Sequence, residues 1–79
     1  MSRNPRIEQI LALWWDAETC PIEFRSERFA RLNGALMNHI QASGITATPI
    51  EVQEALRDHF VAFKRERYRE VVARMPRRA

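Results

Sequence analysis

From Pro49 to Met75 the sequence PIEVQEALRDHFVAFKRERYREVVARM contains no glycine and no proline after its first residue. The stretch also opens on a capping box. Thr48 stands at the N-cap, Pro49 at the first helical position and Glu51 three residues after the cap. In that arrangement the threonine hydroxyl and the glutamate carboxylate each satisfy an orphan backbone N–H. Nothing stops a helix before Pro76, so the spacing predicts one helix over about 49–75, roughly 40 Å long at 1.5 Å per residue. An element of that length dominates what a chain of 79 residues can fold into.

Two shorter helices are expected before it. Asn4 followed by Pro5 is a helix start, because asparagine accepts from a free N–H and proline fits the first turn. Ile7, Ile10, Leu11 and Trp14 then recur on one face, which predicts a first helix over about 5–17. Pro21 biases Cys20 away from helical angles and ends it. In PIEFRS, Ile22 and Phe24 alternate with Glu23 and Arg25, so this segment is read as an extended connector that pins both apolar residues into the core. Ser26 caps a second helix over about 27–43, with Phe29, Leu32, Leu36 and Ile40 as its buried stripe and Gly44 as its stop. Gly34, inside that helix, is read as a place where a neighbouring helix approaches closely. The expected fold is all-α: a three-helix domain with an extended C-terminal helix, formed by residues 1–79 as one unit.

The third helix outruns its core. Val52, Leu56, Phe60 and Phe63 share a face, but Lys64 and Arg67 fall on its continuation. A buried cation without a partner is costly, so the core is expected to stop near Phe63. Beyond that point Tyr68, Val71, Val72 and Met75 form a second apolar set, rotated around the helix. One well-oriented ion pair, Glu70 to Arg74, adds only about 0.3–0.5 kcal/mol there. Something is therefore expected to cover the set: helix 1, a second subunit or a partner. Trp14 and Trp15 in LALWW carry more apolar surface than one helix face buries, and they are expected either to enter the core or to join the association surface.

Size sharpens that need. A chain of this length buries only about 60–65% of its unfolded surface, so its stability is marginal without a supplement. Cys20 is the sole cysteine, and with His39 and His59 it cannot build a zinc cage at standard spacing. No disulfide, metal or cofactor is expected, which leaves association, with a homodimer as the first expectation. No apolar run reaches the ~20 residues of a membrane span, MSRNPRIEQ lacks a secretory core, and a single cysteine suits the cytoplasm.

No catalytic residue is expected either. Cys20 has no adjacent cation to lower its thiol pKa, no glycine-rich phosphate loop exists, and Asp58 and His59 point apart on a helix. What remains is charge. Residues 1–59 carry six arginines against eight acids, whereas residues 60–79 carry seven basic residues against two. Arg65 and Arg69 share the polar face, Lys64 and Arg67 border the stripe, and Arg74, Arg77 and Arg78 follow. A helix bearing these cations can track a phosphate backbone and release counterions. Cations also favour helix C-termini and keep an exposed helix soluble.

Pro21 to Phe60, PIEFRSERFARLNGALMNHIQASGITATPIEVQEALRDHF, loosely resembles a ribbon-helix-helix repressor: a short alternating strand, a helix, a glycine turn and a capped helix. That resemblance implies an obligate dimer with residues 22–25 paired as a ribbon and Glu23 or Arg25 in the major groove. The first helix and the turn are longer than the pattern, Pro21 shortens the strand, and a helix precedes it, so the family is not assigned on these residues. The functional expectation is a small non-enzymatic regulatory or accessory protein that binds DNA or RNA through its basic C-terminal helix. The alternative is an adaptor or inhibitor that binds another protein through its aromatic and apolar helical surface.

Overall fold

The computed structural model of the chain describes residues 4–74. Met75, Arg77 and Arg78, named above, lie outside the described residues. Four helices and no strand are present among those described: α1 Pro5–Thr19, α2 Ile22–Ser43, α3 Pro49–Ala55 and α4 Arg57–Arg74. The chain is all-α as expected, but with four helices in place of three.

Helix α1 starts as its sequence requires, with Asn4 Oδ1 accepting from the Arg6 N–H at 2.9 Å. It ends at Cys20, whose extended backbone (ψ 160°) is the one that Pro21 imposes on its predecessor. Helix α2 corrects the connector reading. It begins directly after Pro21, which serves as its N-cap, and Phe24 N–H donates to the Pro21 carbonyl at 3.0 Å. Ser26 therefore sits inside the helix, not at its cap. Proline at a helix start leaves no donor unsatisfied, and four alternating residues do not outweigh that. Ile22 is 78% exposed and Phe24 46% exposed, so neither is pinned in the core. A helical 22–25 also removes the ribbon of the repressor resemblance. Gly44 ends α2 in the left-handed region (φ 67°), its N–H donating to the Ile40 carbonyl at 3.1 Å.

The Thr48 capping box forms as read. Thr48 Oγ1 accepts from the Glu51 N–H at 3.3 Å, and Glu51 Oε1 accepts from the Thr48 N–H at 3.1 Å. The long helix that it opens is, however, divided. Leu56 leaves helical geometry at φ −90°, ψ 2°, between α3 and α4. No glycine or proline causes this, and the backbone ladder is nearly unbroken: Leu56 N–H donates to the Val52 carbonyl and Phe60 N–H to the Leu56 carbonyl. The cause is packing. The backbone of α3 runs close to α2, whereas that of α4 runs close to α1 and not to α2. One straight rod cannot serve both surfaces.

The core joins Ile10, Leu11 and Trp14 of α1, Leu32 and Leu36 of α2, and Val52, Leu56, Phe60 and Phe63. Of the stripe expected on α2, Phe29 is 38% exposed and Ile40 only half-buried. The α1–α2 pair is antiparallel, tied on its surface by Arg28 and Asp16 at 3.3 Å. Its shape is open: principal extents are 54 × 36 × 17 Å and the radius of gyration is 14.5 Å. A compact chain of this size has a radius of gyration of about 11–12 Å. A molecule this thin covers its helices on one side and leaves α4 to project.

Candidate interaction surface on the last helix

The core does stop at Phe63, the last buried residue of α4. The two cations on the continuation of that face are held by aromatic rings. Lys64 Nζ lies 5.0 Å from the Phe60 ring centroid, and the Arg67 guanidinium 4.8 Å from that of Phe63. Each ring face attracts the cation, and the long side chain caps the apolar edge while its charge stays near water. Arg67 also approaches Glu70 at 3.8 Å, so the carboxylate pairs three residues back along the helix instead of forward with Arg74.

The tryptophans divide the two roles weighed for them. Trp14 is 9% exposed and stacks on Phe60, so its ring is spent inside the core. Trp15 is half-buried and meets Tyr68 edge-on, with centroids 5.4 Å apart and planes at 85°. Helix α1 thus covers one side of Tyr68. The phenol remains 58% exposed, Val71 46% and Val72 67%.

A surface residue that sequence periodicity missed joins them. Val61 is exposed and lies seven residues before Tyr68, which returns it to the same face after about two turns. It is hidden in the sequence between two core phenylalanines, and the seven-residue spacing is the signal that finds it. Taking about 100° per residue, Val61, Tyr68 and Val72 fall within about 40° of one another. Cations flank this stripe on both sides: Arg57 on one, with Lys64 leaning away from it over Phe60, and Arg65 and Arg69 on the other. Arg65 and Arg69 are exposed and make no ion pair among the described residues. Arg74 is exposed on the side that continues the Phe60–Phe63 face, away from them. Among the described residues the expected cations therefore do not share a single face.

The residues considered for chemistry are dispersed. Cys20 sits at the α1–α2 turn with its thiol donating to the Ala17 carbonyl at 3.5 Å, His39 lies near the end of α2, and His59 in the first turn of α4. Among the described residues no helix is long and apolar enough to cross a membrane.

Fold and surface together define an all-α domain of four helices whose last helix carries an uncovered apolar stripe between two cationic rims. No family model, curated protein or solved structure matches the chain.

Proposed function

We propose that this chain is a non-enzymatic cytoplasmic accessory protein that works by docking the outer face of α4 onto a protein partner with an acidic, amphipathic helical surface. The observation that carries this reading is the stripe of Val61, Tyr68 and Val72, exposed on a helix whose core contacts end at Phe63. Exposed helical turns without a packed face are marginal in water. A contiguous apolar stripe with a polar rim is the usual mark of an association site. The rim selects the partner. Cations on both flanks attract carboxylates across an interface. A second copy of the chain would set like charges against each other, which makes a homodimer the weaker occupant.

The test is capture from the native cell with wild-type protein and two variants. Tyr68→Ala with Val72→Ala abolishes capture of a defined partner if the reading is correct, and Arg65→Ala with Arg69→Ala slows association and reduces its salt dependence. Capture that survives the first pair overturns the reading. Light scattering across a concentration series identifies the homodimer by a doubled mass that Val72→Glu reverses.

A second reading rests on a separate observation, the guanidiniums Arg65 and Arg69 on the outside of α4, which have no ion pair among the described residues. Both are free to meet phosphates of DNA or RNA, with Arg74 reaching the backbone from the other side. Lys64 and Arg67 lie over rings instead of projecting, so fewer phosphates are neutralised than the charge count implies. A salt titration with duplex and single-stranded probes decides: each phosphate contact contributes about −0.9 to the logarithmic salt slope on duplex DNA. No binding at low salt removes this reading.

A further inference from the structure

On the other side of the molecule, α1 and α2 enclose an open groove of about 400 Å³. Its polar lining is Arg6 and Gln9 from α1 with Arg31, Asn38 and His39 from α2. A second hollow of about 530 Å³ shares Arg6, Gln9 and Asn38 and extends the same surface towards Gln41. No carboxylate lines either among the described residues.

Three features that are unfavourable on their own terms converge on this groove. Arg6 stands in the first turn of α1, where the helix dipole repels a cation, and it has no ion pair among the described residues. His39 keeps its Nδ1 buried without a hydrogen-bond partner among the described residues, and such an atom loses its hydration with nothing in return. Gly34 sits in the middle of α2, where glycine weakens a helix, yet a Cβ there meets nothing within 4 Å. The close approach expected at Gly34 is absent, and its missing side chain instead leaves α2 bare at the floor of the groove. Leu13 and Ala35 supply the apolar part of that floor.

We infer that the α1–α2 groove is a binding site for a small organic anion, a phosphate or carboxylate carried on a compact apolar group. An anion there meets two guanidiniums and the positive end of α1, and so reverses the penalty on Arg6. Arg31 shares one nitrogen with Glu27 at 2.8 Å and has further N–H donors free for an anion. The amides of Gln9 and Asn38 orient the ligand, His39 supplies a further polar contact, and the apolar group rests on Leu13, Ala35 and the gap at Gly34. The volume lies in the range of small-molecule sites.

The test titrates the full chain with inorganic phosphate, phenyl phosphate and benzoate, following side-chain amide, guanidinium and imidazole resonances by NMR. Saturable shifts at Gln9, Asn38 and His39 are expected, with phenyl phosphate or benzoate binding more tightly than inorganic phosphate and the tighter of the two identifying the anion. Arg6→Ala with Arg31→Ala weakens binding about tenfold or more. Gly34→Leu keeps the helical circular dichroism and removes binding by filling the floor. The inference is overturned if none of the probes shifts these resonances up to about 10 mM, if the shifts appear equally at Arg65 and Arg69, or if binding survives in Gly34→Leu.

Discussion

The Trp14 indole lies flat on the Phe60 ring, with centroids 4.0 Å apart and planes within 5° of parallel. Both residues are buried, and the contact is one of two ring pairs that join α4 to α1, the helix its backbone runs beside. The stack sits at the base of α4, and the edge-on contact of Trp15 with Tyr68 follows about two turns further along.

Removing that stack is expected to be severe. Phe60→Ala loses about 3–5 kcal/mol by cavity formation, against a total stability of roughly 4–12 kcal/mol for a chain of this length. Urea denaturation followed by circular dichroism should show a markedly lowered midpoint or no cooperative transition. A loss below about 1 kcal/mol would mean that α4 is held elsewhere.

Gly34→Ala should have the opposite sign. The added methyl meets nothing within 4 Å, so only the helix propensity changes, in favour of alanine by about 0.5–1 kcal/mol. In a domain of this size that raises the thermal midpoint by about 2–8 °C. A lowered midpoint would show that the groove floor is closed in solution.

The capping box predicts an acid response. Backbone and hydroxyl hydrogen bonds with Thr48 hold the Glu51 carboxyl below its ordinary value. A depressed folded pKa contributes stability above the unfolded value, near 4.3, and loses it as pH falls through the folded one. The wild type should therefore lose more stability than Glu51→Gln on acidification below about pH 4.3, while the two respond alike between pH 6 and 8. Thr48→Ala is expected to lose about 0.5–2 kcal/mol at neutral pH.

The start of α2 is testable by contrast. Ile22→Ser and Phe24→Ser change exposed positions and should stay within about 0.5 kcal/mol of wild type. Leu32→Ala, at a position 1% exposed, should lose about 2–5 kcal/mol. Equal losses at Phe24 and Leu32 would restore the connector reading of residues 22–25.

Much of this was legible in residues that act locally. Asn4–Pro5, the Thr48–Glu51 box and Gly44 are boundaries because a cap or a left-handed turn is decided within four residues. The stripe Val52, Leu56, Phe60 and Phe63 was readable as core, and the cations at 64 and 67 correctly marked its end, though their resting place over Phe60 and Phe63 was not. The segment after Pro21 was misread because strand-like alternation and a proline-led helix start look alike over four residues. Phe29 matched the buried period of α2 but lies 38% exposed.

Sequence alone determined that this chain is helical, where α1 and α3 begin and where α1 and α2 end, and how far along α4 its apolar face could be buried, because caps and periodicity are properties of neighbouring residues. Only tertiary packing decided the break at Leu56, the division of Trp14 into the core and Trp15 onto Tyr68, and the groove that opens over Gly34. Each of these depends on which helix lies against which. That choice is made by surfaces far apart in the chain, and no local pattern records it.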